Sequence, residues 1–536
     1  MEKKKRNILV IIVLLIGVVV IIGVSYALWS LNLTQTGKND IASSCFNITF
    51  TDKNNISLQK VYPILDEDGK KLTPYEFTIT NTCDSYASFN VNLEVLNTTT
   101  LTNDDAVKVM ISSKTGATET EINTNLLSSY KTTTKTLNNA KTAFNLTTGY
   151  LNAKESKTYT LRLWLDENVD MNTKGVQNTK FSSKVVVTAS YVEEIPKSAS
   201  ETIASLVSGA DTSSTDVYTV PNKTSDSCTY TLAYDGTSDN NLRYVGANPC
   251  NYVKIDNEYW RIIGVMNNID DGTGKKETRV KLIRNESIGD YSWDSSESSV
   301  NDGWGVNEWS QADLMKLLNP GYESESVGGS LYYNNSSGNC YSYMENKTKA
   351  CDFTSSGLKT NLKNLVGNTL WHTGSNDGVT YTEDNIVTSK FYELERSSNN
   401  GKICKLDDYC NDTVTRTTTW TGKVGLMYPS DYGYATGGGS TSNRTSCLAI
   451  ELYNWGDAGD CKNNDWLYNS NAWQQTISPS AHSWYASYVF GVDANGAVED
   501  GSAYPYCFIR PSVYLKSNVL ILSGEGTLEN PYEIAD

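Results

Sequence analysis

Histidine is almost missing from this chain: 536 residues hold two, His372 and His482. No H-E-x-x-H occurs, which excludes that zinc-protease arrangement. No C-x-x-C occurs either, so the 11 cysteines do not read as a zinc site. G-x-S-x-G is absent, which removes the nucleophile elbow of the α/β-hydrolases. Positive charge is scarce, with 45 Lys and Arg against 61 Asp and Glu and a net charge of −16. Nucleic-acid binding needs a basic stripe, and none is present. Gly272-Thr-Gly-Lys275 lacks the phosphate-loop spacing. Asp66-Glu-Asp-Gly69 lacks the downstream Glu of a calcium loop and reads as a turn. No cofactor and no metal follows from these residues.

One long hydrophobic run is present, at the start. Met1-Glu-Lys-Lys-Lys-Arg6 is basic, Ile8 to Val24 is unbroken apolar sequence, and Ser25-Tyr-Ala27 follows. As a helix, Ile8 to Val24 is about 26 Å long. Extension through Trp29 gives about 33 Å, against roughly 30 Å of bilayer core. Residues 1–29 therefore read as a membrane anchor helix or a signal peptide, with Ala27 and Leu28 flanking the candidate cleavage point. The basic flank places the N-terminus inside and the rest outside. The membrane is thus an expected partner through this helix. The localisation expected is the cell membrane with an extracellular C-terminal part, or secretion. No wall-sorting tail precedes Asp536, so surface retention is expected to rest on the N-terminal helix.

Outside the cell, cysteines default to disulfides. Neighbours in sequence suggest Cys228 with Cys250, Cys340 with Cys351, Cys404 with Cys410 and Cys447 with Cys461; Cys45 and Cys83 stand apart near the N-terminus as further disulfide candidates, and Cys507 is left over. Spacing alone does not fix these pairs.

Tyr (34) far exceeds Phe (10), and Thr, Ser and Asn abound, a mainly β composition. Residues 30–195 show period-two alternation in Phe46–Phe50, Tyr75–Thr80, Phe89–Val95, Tyr159–Leu165 and Lys184–Tyr191. Half-buried antiparallel strands follow, about seven in all, suiting a β-sandwich. Residues 196–225 are small and polar and read as a linker, with room for a short helix near Ser200 to Val207. Residues 226–536 mix strands and short helices, an α+β domain. Tyr252 to Val265 predicts two strands around an Asp256-Asn257 turn. Trp309 to Leu318 predicts a helix, and about 320–356 an insertion.

Trp260-Arg-Ile262, Trp309 through Leu317-Leu-Asn319, Trp466-Leu467 with Ile477-Ser-Pro479, Val489, Gly496-Ala-Val498 and Arg510-Pro511 together resemble a widespread bacterial extracellular domain of unknown function. The resemblance spans most of residues 250–516. It implies a C-type-lectin-like fold, shared with the formylglycine-generating enzymes. The insertion after Pro320 and the long gap between Trp466 and Ser478 depart from that pattern. More weakly, Ser25-Tyr-Ala27, Leu28-Trp-Ser30 and Phe77-Thr-Ile-Thr-Asn-Thr82 resemble the secreted sandwich proteins of Gram-positive biofilm fibres and the camelysin group. Metalloprotease activity, described for camelysins, is not supported without the histidines. The lectin signatures E-P-N and W-N-D are absent too.

Aromatic residues are the remaining binding signal. Trp473, Trp484 and Tyr485 sit among Gln, Ser and Asn beside His482, and are the candidate binding residues for a carbohydrate or protein ligand. Trp260 and Trp466 read as core. The expectation is a cell-surface or secreted recognition protein, with a lectin-like domain on a sandwich stalk. Two alternatives stand beside it. One is an extracellular hydrolase or oxidase using His372 or His482. The other is a fibre subunit whose residues 28–40 are extended and unpaired.

Overall fold

A computed structural model describes residues 30–34, 46–50, 56–59, 62–169, 176, 179–295, 305–376, 380–399, 414–471, 473–480, 487–504 and 507–535. The expected helix over 1–29 with its Ala27–Leu28 cleavage point lies outside these residues, as do Cys45, Cys404, Cys410, His482, Trp484 and Tyr485. No helix among the described residues is long and apolar enough to cross a membrane. The protein is mainly β, with largely antiparallel sheets, and divides into two compact units between Ile195 and Pro196.

The first unit has eleven described strands, more than the alternation alone suggests. They are β1 (Ser30–Thr34), β2 (Phe46–Phe50), β3 (Ile56–Gln59), β4 (Tyr75–Asn81), β5 (Tyr86–Leu96), β6 (Val107–Thr115), β7 (Thr118–Leu126), β8 (Lys131–Thr133), β9 (Ala140–Leu151), β10 (Ser156–Leu165) and β11 (Lys180–Val192). One sheet runs β1-β11-β5-β9-β8 with β3 also on β11, and the other runs β2-β4-β10-β6-β7. Every second residue of β5 enters the core: Ala87, Phe89, Val91, Leu93 and Val95. There they meet Phe77 and Ile79 of β4 and Tyr159 and Leu161 of β10 from the other sheet. This is a sandwich in which strand alternation fills one shared interior. β1 pairs antiparallel with β11, Ser30 opposite Ser190. The chain therefore enters this unit beside the place where it leaves. Asp66–Gly69, expected as a turn, is one short helical turn.

The second unit corrects the linker expected over 196–225. Helix Ala199–Leu206 opens on a capping box between Ser198 and Glu201, and Ala199, Ile203 and Val207 on one face are buried in the core with Val220. A segment that buries its apolar stripe is part of the domain.

The largest sheet is ten-stranded and centres on strand Glu258–Asp270. This strand follows Tyr252–Ile255 across a tight turn in which Asp256 takes a positive φ of 55°. A bulge interrupts its pairing between Ile262 and Gly264. At Gly264 a Cβ would lie 2.2 Å from the carbonyl oxygen of Leu242, so only glycine fits.

The helix expected over Trp309–Leu318 is broken. Ala312 is extended, separating the 3-10 turn Trp309–Gln311 from helix Asp313–Leu318, whose Leu314, Leu317 and Leu318 are buried. The expected insertion is a hairpin, Ser337–Tyr343 with Lys347–Asp352, closed by Cys340–Cys351. A five-stranded sheet carries Gln474–Pro479, Tyr488–Val492 and Val498–Ser502.

Candidate functional site

Charged side chains are buried together in the second unit. Strand Leu242–Tyr244 contributes Arg243, strand Lys276–Arg284 contributes Lys281, and helix Pro429–Tyr434 contributes Asp431 near its N-terminus. Asp431 accepts from Lys281 Nζ at 2.6 Å and from Arg243 Nη1 at 2.5 Å. Arg243 also donates to Asp235 at 3.1 Å. Burial alone would raise the Asp431 carboxyl, but the facing Lys281 and Arg243 charges hold it down at about 2. Burial draws Lys281 down to about 8 against the pull of Asp431, so the pair is ionic at neutral pH. Three rings enclose the ammonium: Tyr428 at 4.2 Å, Trp371 at 5.1 Å and Tyr514 at 5.1 Å.

Arg243 and Asp431 of this network also line a cavity of about 20 Å³, room for one ordered water. His372 is on its wall, at the end of strand Thr369–His372. Helix Thr388–Glu395 brings Tyr392 to the same wall, and Arg396 follows it. The Arg396 guanidinium stacks 3.5 Å from the Tyr392 ring and pairs with Glu395 at 3.0 Å. The His372 backbone N–H donates to Tyr428 Oη at 2.8 Å, but its imidazole bonds to no described residue. Burial, with Arg396 nearby, pulls its pKa down to about 4, so the ring is neutral at pH 7. A general base needs a hydroxyl, thiol or water-bearing substrate within hydrogen-bond reach. Among the described residues, the Arg396 guanidinium, the Tyr392 phenol and the Asp239 and Asp270 carboxylates share the cavity with His372.

No family model matches this chain, and no curated protein matches it.

Cys507 is a free, half-buried thiol. Burial pushes it up to about 12, so it carries no thiolate at neutral pH. Disulfides join Cys228 to Cys250, Cys340 to Cys351 and Cys447 to Cys461, and Cys83 is also bonded. No three His, Cys, Asp or Glu side chains come together as a metal site among the described residues.

Trp473 is the one candidate binding residue within the described set. It is half-buried and leads into strand Gln474–Pro479. Its indole lies over Gly491 and Gly501 of the next two strands: a Cβ on Gly491 would meet Nε1 at 1.8 Å, and one on Gly501 would meet Cζ2 at 3.4 Å. Two glycines thus form a shelf under the ring, a spacing visible in sequence only once the hairpin register is known. The motif residues take a different role. Trp260, Trp309 and Trp466 are buried, and Arg261 is sandwiched 4.2 Å from Tyr252 and 4.6 Å from Trp466. They tie the early and late motifs into one core.

Sequence reading missed the Arg243–Asp431–Lys281 network altogether. Its members lie up to 188 positions apart and belong to no local pattern.

Proposed function

We propose that this chain is a bacterial cell-surface or secreted recognition protein. Residues 1–29 would hold it to the membrane or be removed on export. The second unit, read as C-type-lectin-like from its motifs, would bind a carbohydrate or protein ligand through its loops. The observation that carries the binding reading is the seating of Trp473, a partly open indole backed by glycine, the arrangement that stacks on a sugar ring or a partner's side chain. Three disulfides within the second unit support an oxidising compartment.

The enzyme alternative has less behind it: the His372 imidazole has no bonded nucleophile among the described residues, and Cys507 is a half-buried thiol held protonated. The fibre alternative needs a free segment after residue 28, whereas Ser30–Thr34 is already paired along β11.

The test screens the full chain and its Trp473→Ala variant on arrays of oligosaccharides and extracellular proteins, with thermal melting as the control for folding. Binding lost in the variant at unchanged melting supports the reading. Ligand turnover that disappears in His372→Ala or His482→Ala would overturn it in favour of an enzyme.

A further inference from the structure

The outer face of the first unit carries a groove of about 570 Å³, within the usual range for small-ligand sites. Three asparagines, five threonines and two lysines line it. No carboxylate, aromatic ring or aliphatic side chain is among them. A divalent cation would find no charged ligands here, and a lipid or an apolar peptide anchor would find no apolar wall. What the groove offers is a dense set of amide and hydroxyl donors and acceptors.

The groove is built into the fold. Asn90 and Asn92 stand on the solvent side of β5, alternating with the core residues Phe89, Val91 and Leu93. Asn92 is only 3% exposed, yet it lines the groove. Its Oδ1 accepts from Asn145 Nδ2 at 3.0 Å, while its own amide nitrogen meets no described partner. Asn90 Oδ1 accepts from Thr148 Oγ1 at 2.7 Å, and its amide nitrogen is likewise unpaired among the described residues. Neither nitrogen is sealed in the interior, so both are open to donate to a ligand in the groove. The wall is fixed from below. Glu94, fully buried, accepts the backbone N–H groups of Thr136 at 2.5 Å and Leu137 at 2.8 Å, tying down the loop after β8. At the rim, Lys131 is exposed with no described partner, whereas Lys135 is engaged with the Ala140 carbonyl at 2.8 Å.

We infer that this groove is a saccharide-binding site. The Asn90 and Asn92 amides and the Thr148 hydroxyl read sugar hydroxyls, and Lys131 meets an acidic substituent. With no ring to stack on, affinity rests on hydrogen bonds and is modest. The site is separate from Trp473 and independent of the function proposed for the second unit.

The experiment titrates the full chain with chitotetraose as the neutral probe and tetragalacturonate as the acidic one, by calorimetry at millimolar ligand. Tetragalacturonate is expected to bind more tightly. Thr148→Val combined with Asn90→Ala is expected to weaken both by ~10-fold at unchanged thermal melting, the size of one or two lost hydrogen bonds. Lys131→Ala, at an exposed position on the rim, removes only the preference for the acidic probe. Trp473→Ala leaves both affinities unchanged. Absence of binding to either probe, or binding that survives the groove variants and vanishes with Trp473→Ala, overturns the assignment.

Discussion

Lys281 and Asp431 meet at 2.6 Å in the interior of the second unit, with side chains 0% and 3% exposed. The bond joins the central sheet to the first turn of helix Pro429–Tyr434 across 150 positions of sequence. Arg243 holds the other carboxylate oxygen. The three groups stand or fall together because a buried charge is tolerated only while paired.

Asp431→Ala leaves the buried Lys281 ammonium without its counter-charge and Arg243 with Asp235 alone. It is expected to cost about 3–5 kcal/mol of unfolding free energy. Lys281→Met leaves Asp431 still bonded to Arg243 and is expected to cost less. Urea denaturation followed by near-UV circular dichroism checks the order of the two.

Acid should release the same lock. Asp431 titrates at about 2 in the folded chain, below its ordinary value of 3.8. A depressed carboxyl contributes stability that is fully present above the unfolded pKa and is lost as pH falls through the folded one. Melting temperature should therefore fall between pH 4 and pH 2, and that limb should be shallower in Asp431→Asn. An equally steep limb in the variant would remove Asp431 from the explanation.

Asp500 has the opposite sign. Burial pushes it up to about 8 from 3.8, and the carboxylates of Glu383 and Glu499 facing it add to the rise. Ser480 Oγ donates to it at 2.6 Å and opposes the shift. Stability from a raised carboxyl is full below the unfolded pKa and is lost as pH rises through the folded value. Melting of the wild-type protein is expected to fall between about pH 4 and pH 8, and Asp500→Asn is expected to flatten that slope. Differential scanning calorimetry across the range decides it.

The Cys228–Cys250 bond closes a separation of 22 residues at the start of the second unit. Loop-closure entropy for such a length is about 3 kcal/mol. Replacing both cysteines by serine should lower the melting temperature of this unit measurably, and non-reducing peptide mapping should recover the 228–250, 340–351 and 447–461 pairs from the native protein. Recovery of any of these six cysteines in another pairing would contradict the fold.

Gly491→Ala puts a methyl group where the Trp473 indole lies. It should destabilise by about 1–3 kcal/mol, as overpacking does. In a Trp473→Ala background the same change should be nearly neutral. Such a double-mutant cycle reports the contact directly, and additive effects would mean that the ring does not rest on that strand.

Much of the strand pattern was legible from alternation, because a half-buried strand places apolar groups on every second residue. Tyr75–Asn81 carries this plainly, with Phe77, Ile79 and Asn81 buried and the residues between them partly open. Strand β7 does not: Thr118–Leu126 reads Thr-Glu-Thr-Glu-Ile-Asn-Thr-Asn-Leu at the sheet edge, and only Ile122 packs against the core. The segment over 196–225 read as a linker because its small and polar residues outnumber the few that enter the core. The break at Ala312 was hidden because an extended residue leaves the apolar spacing on either side intact.

Composition and local order were enough to settle the mainly β character, the burial of Trp260 and Trp466, and the candidacy of the cysteine neighbours that bond. Each depends on residues close in sequence, where periodicity and loop length act directly. Only the tertiary structure decided that His372 shares a cavity with Arg396 and has no hydrogen-bonded nucleophile among the described residues, that two glycines underlie Trp473, and that Arg243, Lys281 and Asp431 share one buried lock. Those facts depend on register and on segments meeting across one to two hundred residues. No local pattern encodes such meetings, because they are set by how whole sheets close over a common core.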